Sequence, residues 1–250
     1  MAERTLPATV LSMECPFCGS TQVIEQDAVK SFIQPDGLVP FQISEREVIT
    51  HIKDALDSPL EKLAGFFDDN RVKSGIIDGV YLPFWLFDVV VDISRTRTTI
   101  KMDYAQGKFP IFTPLEERFT DAEFNLPIIG SKTLAEGLAA NILDFDYSRS
   151  LPFEAKLLAK YPASLYDIDF DQASLRARGQ VAEAMRDKHR PLADEEQARV
   201  SAHVTNMSFS LLLLPFFMVK LKERDGDERP ALVNGQTGSV AFGKTRKRGR

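Results

Sequence analysis

The sequence predicts an α+β protein: two related α+β units with antiparallel strands, preceded by half of a zinc-ribbon knuckle. Three observations carry that expectation. Residues 80–91 (VYLPFWLFDVVV) and 211–219 (LLLLPFFMV) are dense in β-branched and aromatic side chains, as strands covered on both faces are. Helix starts with capping signatures lie between and before them. Near the start stands Cys15-Pro-Phe-Cys18-Gly19, two thiols at the spacing of a metal knuckle.

Composition narrows the class. The chain has 250 residues, 44% hydrophobic and 27% charged, close to the globular average of roughly 45–50% and 25%. That balance excludes wholesale disorder and collagen-like or coiled-coil architecture. The length allows one large domain or two small ones. Two cysteines cannot build a disulfide scaffold, and no charged-then-apolar leader opens the chain, so a cytoplasmic setting is expected. Neither apolar run reaches the ~20 residues of a membrane span.

The elements follow in order. Ser44-Glu-Arg-Glu47 reads as a capping box, with Val48, Ile49, Ile52, Ala55 and Leu56 on one face of a helix over 45–57. Ser58-Pro59-Leu60-Glu61 repeats the device and predicts a short helix through Phe67. Thr133-Leu-Ala-Glu136 opens a third helix, and Ala173, Leu175, Val181, Ala182 and Met185 predict a fourth over 172–189. Strands are expected at 39–43, 80–93, 94–100, 108–112 and 208–221. Asp167, Asp169 and Asp171 alternate with Ile168 and Phe170, which reads as a half-buried strand with an acidic face. As a calcium loop that stretch fails, because Gln172 stands in place of the required glycine and Arg178 in place of the bidentate glutamate. Asn234-Gly235 after an apolar run predicts a turn, giving three antiparallel strands from 208 to 242.

An internal echo suggests the two related units. Residues 38–41 (LVPF) lead through a helix to 81–85 (YLPFW), and 150–153 (SLPF) lead through helical sequence to 213–217 (LLPFF). The repeat would pair Pro83 with Pro215. The expected division is a partial knuckle at 1–30, a first unit at 31–115, a connector with a helix at 116–145, a second unit at 146–243 and a basic tail at 244–250.

Chemistry concentrates at the two cysteines. Thiolates two residues apart, followed by a glycine that frees the backbone, suit a zinc knuckle. A redox pair should open a helix, whose N-terminus lowers the first thiol's pKa, whereas residues 19–24 (GSTQVI) read as a turn into a strand. Inert thiols are the third reading. A structural zinc site needs four ligands, so Cys15 and Cys18 supply half. The other soft donors, His51, His189 and His203, show no ligand spacing. A zinc shared between two chains, a first CxxC upstream of Met1, and a degenerate ribbon without metal all fit this count.

Residues 238–245 (GSVAFGKT) match the Walker A pattern. A phosphate loop needs a helix after it, and the five residues after Thr245 are basic and aperiodic, so ATP binding is not expected. No nucleophile elbow, His-Glu-x-x-His pair or dinucleotide fingerprint occurs. Charge is asymmetric: Lys244, Arg246, Lys247, Arg248 and Arg250 stand together without an acid, and residues 1–243 carry 26 basic against 36 acidic side chains. An acidic body repels phosphate, which confines any nucleic-acid contact to that tail or a local patch.

The CPFCGS knuckle, the DGLVPFQIS and GVYLPFWLFD segments and LVNGQTGSV resemble a family of uncharacterised bacterial zinc-ribbon proteins. Members carry a transcription-factor-IIB-type ribbon label or are named after the primosomal replication-restart helicase. The resemblance implies an N-terminal ribbon whose second knuckle is Cys15 and Cys18; this chain departs from it by lacking the first. It establishes no activity, and the chain has no room for a helicase motor. Two functions remain. One is a non-enzymatic protein that docks or self-associates through the zinc knuckle, its basic tail touching an acidic partner or a membrane surface. The other is a nucleic-acid-associated ribbon protein using Lys244, Arg246, Lys247, Arg248 and Arg250.

Overall fold

A computed structural model describes residues 11–14, 21–24, 33–57, 72–103, 109–132, 136–190, 199–223 and 227–244, and these form a mixed α+β fold. Strands β1 (Leu11–Glu14) and β2 (Thr21–Ile24) pair antiparallel as a two-stranded sheet. The other strands are β3 (Gly37–Leu38), β4 (Val72–Asp103), β5 (Phe109–Ile129), β6 (Leu151–Pro152), β7 (Arg199–Glu223), β8 (Glu228–Asn234) and β9 (Val240–Phe242). They form a seven-stranded sheet in the order β5-β4-β7-β3-β6, with β8 against β7 and β9 against β8. The helices are α1 (Glu45–Leu56), α2 (Glu136–Ala139, continued as a 3-10 turn over Ala140–Ile142) and α3 (Phe170–Lys188). The chain divides into two compact units, one from 1–84, 129–168 and 211–250, the other from 85–128 and 169–210.

The first unit is organised by its cap and its buried strands. The amide of Ser44 donates to Glu47 Oε2 at 2.6 Å while Ser44 Oγ accepts the Glu47 amide at 3.5 Å, which completes the expected capping box. Val48 and Ile52 then face inward, where they meet Leu213, Phe217, Val219, Ala231 and Val233. Burying each such side chain contributes roughly 1.5–3 kcal/mol, so the strand stretches at 81–84 and 211–219, buried without interruption, account for much of this unit's buried surface. The three antiparallel strands expected from 208 to 242 are β7, β8 and β9, with Phe216 opposite Asn234 and Val233 opposite Val240.

Both Leu-Pro-Phe prolines sit in long strands, where a missing amide would ordinarily break the ladder. The two proline carbonyls are bonded the same way. The carbonyl of Pro83 accepts the Gly130 amide at 2.8 Å, where β5 has just ended, and that of Pro215 accepts the Gly235 amide at 2.8 Å, where β8 has just ended. The two glycine carbonyls then take two amides each. Gly235 O receives Gln42 and Ile43 at 2.9 and 3.2 Å, immediately before the α1 cap. Gly130 O receives Asp167 and Ile168 at 2.9 and 3.1 Å, immediately before the α3 cap. A Cβ at either glycine would collide, with Pro83 O at 2.9 Å or the Phe41 ring at 2.6 Å.

Several expectations are corrected. Residues 39–43 are not a strand: β3 ends at Leu38, the Val39 amide makes a last bond to Leu213 O of the parallel β7, and the Gln42 and Ile43 amides turn to Gly235 O. Asp167–Asp171 is not a strand either. Asp169 is the N-cap of α3, its carboxylate accepting the Gln172 amide at 2.8 Å, and Asp167 Oδ1 accepts the Lys132 amide at 2.7 Å. Local acceptors here outcompete the sheet. Residues 116–129, read as connector, continue β5. Strands 80–93 and 94–100 are one strand, β4. The helix expected from Ser58 lies outside the described residues.

In the second unit α3 lies on β4, β5 and β7. Ala173, Ala177, Val181 and Met185 are buried at every fourth position, and the small residues allow close approach. Phe170 packs at 4.4 Å from Phe209 and within 6.2 Å of Trp85 and Phe87. The far end of the helix is fastened by Asp121 on β5, which receives His189 Nε2 at 2.7 Å and Lys188 Nζ at 2.8 Å.

Candidate functional site

The expected metal ligands Cys15 and Cys18 lie outside the described residues, but the strands that flank them do not. Glu14, the residue before Cys15, is opposite Thr21, and the register continues to Leu11 opposite Ile24. Residues 15–20 therefore join two antiparallel strands. That strand-to-strand setting is the one a metal knuckle uses, whereas a redox Cys-x-x-Cys is followed by a helix. Among the described residues no group of three or more His, Cys, Asp or Glu side chains is placed to hold a metal ion. The histidines are dispersed. His51 is on α1 with its ring packed over Gly238, whose φ of +82° leaves no room for a side chain there. His189 caps the C-terminus of α3, and His203 is exposed in β7. None is presented toward another.

The Walker-like string is a turn and strand. Gly238 and Ser239 follow the β8 turn, residues 240–242 are β9, and no helix follows among the described residues. Lys244, the one basic-run residue described, is exposed.

Two polar features of the first unit escaped sequence reasoning. The LVNGQTG segment is built around buried Asn234. Its Oδ1 accepts the Gln236 and Thr237 amides at 2.8 and 3.1 Å, while Nδ2 donates to Ile142 O at 3.0 Å and Asp144 Oδ1 at 3.2 Å. Gln236 in turn accepts the Asp146 amide at 2.7 Å, and Ser239 Oγ donates to Asp144 Oδ2 at 2.8 Å. These bonds tie the turn after β8 to residues 142–146 and fix its conformation.

The second feature is a groove of about 410 Å³ at the start of α1, lined by Leu38, Pro40, Phe41, Ser44, Lys160 and Tyr161 among others. Its floor is aromatic, with Phe41 at 4.2 Å from Tyr161 and 5.0 Å from Tyr81. Burial pushes the Tyr81 hydroxyl pKa up. Lys160 Nζ lies 4.6 Å above the Tyr161 ring, and the Tyr161 hydroxyl, which donates to Glu45 at 3.5 Å, pushes the Lys160 pKa up. On the same rim Ser44 Oγ donates to Glu47 Oε2 at 2.8 Å, the side-chain half of the α1 capping box.

Among proteins of known sequence the chain is similar to an uncharacterised protein of Bacillus subtilis (strain 168), YdjG, with 26% identity over 236 residues. The match covers 86% of this chain and 64% of that relative, so the chain spans less than two thirds of the curated protein it matches. No family model matches the sequence. No solved structure matches it.

Proposed function

We propose that the protein is a non-enzymatic interaction protein that docks or self-associates through a zinc knuckle at Cys15 and Cys18. The carrying observation is the antiparallel pairing of β1 and β2 on either side of the Cys15–Cys18 segment, with Glu14 opposite Thr21. Two thiolates supply half of a tetrahedral site. A second copy contributing its own Cys15 and Cys18 makes a four-thiolate site, and the metal then holds the dimer. The zinc supplies binding energy and geometry rather than chemistry, as closed structural sites do.

The α+β body fits a scaffold role. The paired clasps at Gly130 and Gly235, each joining a proline carbonyl to the start of a capped helix, support its derivation from two related units. In that correspondence Ile43-Ser44 matches Ile168-Asp169, and Glu47 matches Gln172 at the third helical position. The experiment is to count zinc and chains together under native conditions, then repeat after chelation. One zinc per two chains, with dissociation by chelator, supports the reading; zinc-free monomers with both thiols open to alkylation refute it.

A further inference from the structure

The second unit carries an exposed acidic and aromatic face on β4 and β5. Glu117 pairs with Arg95 at 2.7 Å, Thr120 with Asp92 at 3.1 Å and the Asn125 amide with Asp88 at 2.9 Å, so β5 runs antiparallel to β4. Strand alternation puts Asp88 and Asp92 on one face, about 13 Å apart, with Thr120 and Phe124 beside them. That face is opposite the one that carries Phe119 against His189 of α3.

Phe124 is 65% exposed, unusual for a phenylalanine in a strand. Asn125, the next residue, has φ of 54°, the one positive φ at a non-glycine among the described residues. Its amide bonds the Asp88 side chain in place of a backbone carbonyl. The strand is thus held in a sparsely populated conformation that turns Phe124 outward beside a carboxylate. Asp88 and Asp92 each accept a neutral donor, and no cation pairs with either among the described residues. A carboxylate beside an open aromatic ring is the arrangement that receives a guanidinium, which stacks on the ring and bonds the carboxylate through its planar fork.

The chain itself contains the complementary segment. Residues 244–250 (KTRKRGR) carry three arginines and two lysines and no acid, against a remainder rich in acid. We infer that the Asp88–Asp92–Phe124 face receives the arginine-rich run 244–250 of a second copy, giving a salt-sensitive contact independent of the zinc knuckle.

The test uses the full chain with chelator and reductant present throughout, which removes any zinc-held association. Sedimentation velocity at 50 and 500 mM salt should show association at low salt only, abolished by deleting residues 245–250. A fluorescent GKTRKRGR peptide should bind the full chain, and binding should weaken at least tenfold in Asp88→Asn/Asp92→Asn and in Phe124→Leu. The asparagine variants keep an acceptor for the Asn125 amide and the leucine keeps apolar bulk, so both folds should persist by circular dichroism. Peptide binding unchanged in these variants overturns the proposal. So does association that survives the deletion, or a deletion that removes binding of a single-stranded DNA 20-mer without changing self-association.

Discussion

Tyr147 has the one buried side-chain polar atom without a hydrogen-bond partner among the described residues. Burial and the nearby Asp144 charge push its hydroxyl up to about 12. An unpaired buried hydroxyl costs about 1–3 kcal/mol, so Tyr147→Phe should raise the urea midpoint rather than lower it. The sign with pH follows from linkage. The fold keeps the phenol protonated, so its contribution is intact below the unfolded value near 10 and is lost as pH rises toward 12. The phenylalanine variant should lack that alkaline loss. Asp121 works in the opposite direction. Lys188, then His189 and the Ala122 amide, hold its carboxyl far below the usual range. Its stabilisation is present above about pH 4 and is lost as pH falls. Asp121→Asn should cost up to about 1 kcal/mol at neutral pH, as partly exposed ion pairs do, and the gap to the parent should close in acid.

At the scale of elements, the two capped helices invite a paired measurement. Ser44→Ala and Asp169→Ala each remove a side-chain acceptor from a helix start and should each lower stability by about 1 kcal/mol in urea unfolding. Equal and additive losses are expected, because the caps share no partner. The first cap was legible because serine and glutamate stand at the capping-box spacing ahead of an apolar face. The second carried the same information as Asp169-x-x-Gln172 before Ala173, Ala177, Val181 and Met185. It was obscured by the alternation of three aspartates, which imitates a strand. Residues 39–43 misled for a related reason: an apolar run with a proline has strand composition, yet past Val39 the Gln42 and Ile43 amides converge on the single carbonyl of Gly235 instead of alternating along a strand. The Leu-Pro-Phe strands were readable because complete burial writes itself as an unbroken apolar run. The Asn234 network was not, since Asp144 and Ile142 lie about ninety residues away and no periodicity links them.

For the whole molecule, the long strands β4, β5 and β7 and the capped helices α1 and α3 make a mixed α+β fold. The two contacts proposed above are a zinc knuckle at Cys15 and Cys18, in the segment flanked by β1 and β2, and the acidic, aromatic face of β4 and β5. The two depend on different conditions, one on metal and the other on ionic strength, so each can be removed without the other. Among the described residues no helix is long and apolar enough to cross a membrane. The knuckle remains the central claim, and native mass spectrometry of the full chain tests it most directly. A dimer carrying one zinc ion, converted to apo monomers by chelator and by Cys15→Ser/Cys18→Ser, is the predicted result. A metal-free monomer whose two thiols alkylate freely would contradict it.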